Sequence, residues 1–107
     1  MFLRKAVVAA HGFLCAYCGA AADSADHIVP KKLDGEDRAR NLIAACRSCN
    51  SAKGGRRLSP SVEADLKMRA WILEPLVNEL AAAFITAQQE ARARKKIPIN
   101  LRGLLNE

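Results

Sequence analysis

Residues 15–18 read Cys15-Ala16-Tyr17-Cys18, and residues 46–50 read Cys46-Arg47-Ser48-Cys49-Asn50. Two thiolates separated by two residues can bite one zinc ion from a single tight turn, and two such turns complete a tetrahedron. The alternatives for four cysteines are two disulfides, a redox dithiol or an iron–sulfur cluster. A redox dithiol normally sits at a strand-to-helix turn of a larger sheet, for which the chain has no pattern. Met1 to Ala10 contains Arg4 and Lys5 and only a short apolar run, so no secretory signal is expected. The cysteines are therefore expected in a reducing cytoplasm, where paired cysteines favour metal over disulfides, and the compact architecture suggests a bacterial or phage-encoded chain. Four thiolates leave no open position for water or substrate, so a zinc at Cys15, Cys18, Cys46 and Cys49 is expected to be structural.

Around these two knuckles the chain reads in short pieces. Residues 1–11 carry Phe2, Leu3, Val7 and Val8 near a helical period, and Gly12 ends the run. Residues 25–30, Ala-Asp-His-Ile-Val-Pro, predict a short strand closed by Pro30. Residues 31–41 are polar, with Asp34-Gly35 as a turn signal, and predict a loop. Leu42 to Ala45 lead into the second knuckle, then a short helix that Gly54-Gly55 stops. Ser59-Pro60 is a helix start, and the helical pattern runs to about Lys96. Pro75 predicts a kink or two abutting helices, and residues 97–107 predict a loosely ordered tail.

The chain has 107 residues, enough for one domain or one domain and an extension. Half are hydrophobic, but many of these are alanines, so the core is marginal and a metal is a usual staple. The formal net charge of +6 fits a polyanionic partner such as nucleic acid, and equally a solvated surface that keeps a small protein soluble. No run approaches 18 consecutive apolar residues, so no membrane crossing is expected.

Between and just after the cysteine pairs stand Asp26-His27, Asn41, Asn50 and Lys53. Singly, each has an ordinary reading as a surface charge, a structural imidazole, a cap or a helix-face amide. Together, Cys15-x-x-Cys18, Asp26-His27-Ile28-x-Pro30, Asn41-Leu42, Cys46-x-x-Cys49-Asn50 and Lys53 resemble the zinc-stapled branch of the HNH endonuclease family over about residues 13–55. The resemblance implies a ββα-metal unit: two antiparallel strands and a helix with a divalent metal between them. It implies that His27 is the general base, a role that suits a group titrating near neutral pH. It implies that Asp26 and Asn50 hold Mg2+ or another hard cation such as Mn2+, with waters and phosphate oxygens completing the shell. Neighbours on a strand point to opposite sides, so Asp26 can reach the metal while His27 reaches the attacking water. Asn41 corresponds to the family's supporting asparagine within the catalytic set. Lys53, Arg47, Arg56 and Arg57 are candidates for phosphate contacts.

The expected fold is therefore small and α+β. Residues 1–58 form the ββα-metal nuclease core with the four-cysteine site, and residues 59–107 form a helical extension and basic tail. In the extension, Leu66, Ile72, Leu73, Leu76, Val77, Leu80, Phe84 and Ile85 recur at three- and four-residue spacing. That stripe either packs back on the core or meets a twin chain or larger partner, with Trp71 as an anchor for either. Arg92, Arg94, Lys95 and Lys96 form a further basic cluster. His11 is expected to be structural, a cation favoured at a helix end. The function implied is DNA phosphodiester hydrolysis to 5′-phosphate and 3′-hydroxyl ends. The readings weighed against it are a zinc-stapled nucleic-acid-binding module without catalysis and a helix-mediated interaction protein.

Overall fold

The structure, a computed structural model, describes residues 2–95. Lys96 and the expected tail at 97–107 lie outside the described residues. Helix α1 spans Leu3–Ala10, strand β1 Ser24–His27, strand β2 Leu42–Ala45, helix α2 Arg47–Lys53 and helix α3 Pro60–Lys95. This is the small α+β arrangement expected, with both strands and α2 in the anticipated order.

The strands pair antiparallel, Ser24 opposite Ala45, Asp26 opposite Ile43 and His27 opposite Leu42. β1 ends at His27, sooner than Pro30, although Ile28 still donates its N–H to the Asn41 carbonyl. The polar stretch 31–41 is more ordered than a plain loop. It holds two single-turn 3-10 segments, Lys31–Leu33 and Ala39–Asn41.

Alternation on the strands splits the core in two. Ala25 and Leu42 pack with Ala6 and Val7 of α1 and with Val77 of α3. Ile43 faces the other way, with Ile28, Leu66, Ala70 and Tyr17. A third cluster, Val8, Cys15, Ala22, Ala44 and Ala45, lies beneath the knuckles and is mostly alanine. α1 also meets α3 through Phe2 and Phe84, whose ring centroids lie 6.0 Å apart. Two of the three clusters thus draw on both sides of residue 58.

Pro75 does not divide α3, which is one helix of 36 residues. The proline removes one N–H from the ladder, but Ala70 and Val77, one on each side of it, are fully buried and carry the helix across. Of the expected stripe, Leu66 and Val77 are buried and Leu80 and Phe84 pack against the core. Ile72, Leu76 and Ile85 are exposed instead, as are Met68 and Trp71. At 100° per residue, Met68 and Ile72 fall about 140–180° from the centre of the Leu66, Ala70 and Val77 face, and Leu76 about 100° from it. The helix therefore has two apolar faces, and the core takes one. It overhangs the rest: the longest dimension is 64 Å against 23 Å in the other two. An 18-residue window of α3 is long and apolar enough by composition to cross a membrane, with 11% of it buried. That helix nevertheless contributes Val77 to the core, and Glu74 accepts the Arg40 backbone N–H.

His11 departs from its expected charge. It sits at the C-terminal cap of α1, but its Nε2 is buried with no hydrogen-bond partner among the described residues. Burial, and then the Arg69 guanidinium, hold its pKa below the usual 6.5. The unfolded chain takes up a proton that the folded chain refuses. The stability owed to a neutral His11 is fully present above pH 6.5 and falls away as pH drops from there through the folded value. A His11→Gln variant is expected to lose less melting temperature than the parent between neutral and mildly acidic pH. Equal losses in thermal scans of the two zinc-loaded proteins would reject this.

Candidate functional site

The four thiols converge. Gly19, in the left-handed region at φ 76°, turns the first knuckle, and its N–H bonds the Cys15 carbonyl at 2.9 Å. In the second knuckle, Cys46 caps α2, its Sγ accepting the Cys49 N–H at 3.4 Å. Ala16 N–H to the Ala44 carbonyl, 2.9 Å, ties the first turn to β2. The Sγ atoms of Cys15, Cys18, Cys46 and Cys49 all lie within 4.8 Å of one another. Cys18 and Cys46 are 3.7 Å apart at sulfur, against roughly 3.8 Å for an edge of a zinc–thiolate tetrahedron with ~2.3 Å bonds. A disulfide needs about 2.05 Å, and all four cysteines are free. The donor set therefore fits zinc. Burial pushes the Cys15 thiol up, but N–H groups of Cys46, Cys18 and Tyr17 outweigh it and bring it down to about 6. Cys49, bonded to Cys46 and Cys18, is pushed up to about 12.

Asp26 lies in a buried polar triad. Its Oδ2 accepts from the Tyr17 hydroxyl at 2.7 Å and from Lys53 Nζ at 2.8 Å. Lys53 Nζ also donates to the His27 and Ile28 carbonyls. Lys53 was expected at a phosphate; it is 9% exposed instead, and its charge is spent inside the fold. Lys53 is the last residue of α2, and from there its ammonium reaches Asp26 and the His27 carbonyl of β1. Burial, and then the bond to Asp26, hold the Tyr17 hydroxyl protonated well above its ordinary range. Asp26 Oδ1 has no protein partner among the described residues and is not sealed from solvent. Asn50 stands one helical turn before Lys53, half-buried, its side-chain amide without a protein hydrogen bond among the described residues. One free carboxylate oxygen and one free amide on neighbouring elements fit a hard cation that keeps most of its ligands as water.

Removing one partner of a buried ion pair leaves the other uncompensated. Lys53→Met is expected to cost about 3–5 kcal/mol. Asp26→Asn/Lys53→Met is expected to recover much of it, because Tyr17 can still donate to the amide oxygen. Urea denaturation of the two variants measures this, and a double variant no more stable than Lys53→Met would refute the pairing.

His27 points away from that triad. Its Nε2 lies 2.9 Å from Asp37 Oδ1, with side-chain exposures of 16% and 62%. The His27 bond, aided by the charges of Lys31 and Arg4, holds the Asp37 carboxyl below its ordinary range. Asn41 touches neither residue. Its buried amide donates to the Val29 and Glu36 carbonyls at 3.0 and 2.8 Å and accepts the Val29 N–H at 3.0 Å. That closes the segment from 29 to 36 into a loop and sets Asp37 at its exit. Gly35 completes the loop, since a Cβ there would overlap the Val29 carbonyl.

The arginines do not gather. Arg47 is exposed, Arg56 folds onto the Ala52 and Lys53 carbonyls, and Arg57 pairs with Glu63 at 3.0 Å. A groove of about 730 Å³ between the 29–36 loop and α3 is lined by Arg40, Arg57, Lys67 and Trp71 among others, but not by Asp26, His27 or Asn50. Tyr17 and Asp37 are the site residues that sequence reading missed. Tyr17 lay in plain view inside the first knuckle. Asp37 carried no signal beyond being one acid in a polar loop.

No curated protein and no solved structure matches the chain. The family model described as HNH endonuclease matches residues 15–56, from the first thiol of the metal site to three residues past α2. Residues 15–56 are thus similar to the HNH endonuclease family, and α3 lies beyond the match.

Proposed function

We propose that this chain is a metal-dependent endonuclease that hydrolyses DNA phosphodiester bonds to 5′-phosphate and 3′-hydroxyl ends, with a structural zinc on its four cysteines. The observation that carries the reading is the pairing of His27 with Asp37, opposite an Asp26 that keeps one oxygen free. An ionised carboxylate only accepts, so Nε2 carries the proton, and in the neutral ring Nδ1 then holds the lone pair. Nδ1 has no protein partner among the described residues and is not sealed from solvent. The attacking water gives its proton to Nδ1 and its oxygen bonds phosphorus. The bond to the 3′ oxygen breaks, and that oxygen takes a proton from solvent. A divalent ion such as Mg2+ or Mn2+ held by Asp26 and Asn50 would supply Lewis acidity at the phosphate and the leaving oxygen. Lys53 anchors Asp26 against α2, and Asn41 holds the loop behind His27. Arg47 and the other exposed basic groups add phosphate contacts that position without reading sequence.

One observation favours a second reading, a nucleic-acid-binding module without catalysis. The Lys53 ammonium already compensates Asp26, which weakens its pull on a second cation. Supercoiled plasmid separates the two. Conversion to open circles with Mg2+ or Mn2+, stopped by chelation and by His27→Ala, supports the nuclease. Binding without nicking under every divalent ion supports the module.

The exposed stripe Met68, Trp71, Ile72 and Leu76 is part of the same proposal, as the seat of a twin chain or larger partner. Sedimentation at micromolar concentration reads a dimer if the partner is a second copy.

A further inference from the structure

We propose that Asp37 is the positioning residue of the site: its carboxylate holds the His27 imidazole in the Nε2–H tautomer, with Nδ1 turned out as the base. The inference rests on the nuclease reading for its consequence, but not for its geometry.

Three observations lead to it. First, Nε2 and Asp37 Oδ1 are 2.9 Å apart, within ordinary hydrogen-bond distance. A neutral imidazole has one donor and one acceptor nitrogen, so a carboxylate on Nε2 decides which is which. Second, the position of Asp37 is built and not incidental. Asn41 clamps the carbonyl of Glu36, the residue just before Asp37, and clamps both polar groups of Val29, two residues after His27. One buried amide therefore sets the distance between the strand that carries the base and the loop that carries its acid. Gly35 lets that loop close against the Val29 carbonyl. Third, the partners available to His27 are few. Asp26 is occupied by Tyr17 and Lys53, and Lys53 meets only the His27 backbone carbonyl. Among the described residues, Asp37 makes the one side-chain bond to the ring.

The chemical effect follows. When Nδ1 takes the water proton, the ring becomes a cation with both nitrogens protonated. The Asp37 carboxylate lies against Nε2–H and stabilises that charge as it forms. Asn41 thus acts on the base through Asp37, at one remove.

The test uses the zinc-loaded chain with 15N-labelled histidine, Asp37→Asn and Asp37→Glu. An asparagine can turn its NH2 toward the ring and favour the opposite tautomer, while a glutamate keeps the carboxylate. Nitrogen shifts of His27 are expected to report protonated Nε2 and bare Nδ1 in the parent, and a mixture in Asp37→Asn. Plasmid nicking by Asp37→Asn is expected to fall about 10- to 100-fold in kcat with KM unchanged, and Asp37→Glu to regain part of it. Zinc content and melting temperature should stay at parental values, because Asp37 is largely exposed. A parent ring protonated at Nδ1, a tautomer unmoved by Asp37→Asn, or an unchanged kcat in that variant would each overturn the proposal. If the parent nicks no DNA, the nuclease reading fails, and the nitrogen shifts of parent and variant still decide the pairing.

Discussion

Stripping zinc from the protein, or replacing Cys46 by serine, is expected to unfold the half of the chain that carries the candidate site. The cluster under the knuckles is Val8, Cys15, Ala22, Ala44 and Ala45. Alanines bury little apolar surface, at about 25 cal/mol per Å², so this corner has almost no hydrophobic support of its own. A zinc on the four thiols would supply what is missing. Structural zinc in small modules is worth roughly 10–16 kcal/mol of apparent binding energy at neutral pH, against about 5–15 kcal/mol for the whole stability of a domain. Cys46 is the sharpest position to change, because its sulfur also caps α2 through the Cys49 N–H. Losing it removes a metal ligand and the cap of the helix that bears Asn50 and Lys53. Circular dichroism should show loss of the cooperative transition on chelation while the helical signal of α3 partly survives. Metal analysis should give one zinc per chain before chelation and none in Cys46→Ser. A chain that purifies without zinc and melts at the same temperature with and without chelator would remove the assignment.

The second large effect is on chemistry and leaves the fold alone. His27→Ala is expected to lower plasmid nicking by about 10²–10⁴-fold, the usual contribution of a positioned general base. The His27 side chain lies outside the three core clusters, and among the described residues its one hydrogen bond goes to an exposed acid. The backbone carbonyl that Lys53 uses survives the substitution. Melting temperature and zinc content should therefore match the parent, and DNA binding should persist. Nicking that continues at the parental rate in His27→Ala would mean that another group takes the water proton.

How much of this was readable beforehand differs residue by residue. The four cysteines were legible because C-x-x-C is a local device: the turn that brings two sulfurs together is made by the residues between them. Asp26, His27, Asn41 and Asn50 were legible as a pattern but not as an arrangement. Asn41 was expected to support the histidine segment, and the structure gives it three bonds to Val29 and Glu36 and none to the ring. Lys53 was misplaced because helical spacing put it beside Asn50 and said nothing of what lay across from that face. Asp37 was invisible, since it lies ten positions along the chain from its partner. α3 was legible in part: Leu66, Val77, Leu80 and Phe84 pack back on the core, as one of the two readings had it, while Met68, Ile72 and Leu76 are exposed, because periodicity does not say which side of the helix the core takes.

Chain order and local chemistry alone thus indicated the four-cysteine cluster, the strand–strand–helix order and the kind of residue at the candidate centre, because each depends on neighbours within a turn or a strand. Tertiary structure decided the rest. It assigned Lys53 to Asp26, Asp37 to His27, and the Leu66–Ala70–Val77 face of α3 to the core, leaving Trp71 outside. Those choices turn on which surfaces meet across long stretches of chain, where burial makes an unpaired charge costly and so selects its partner.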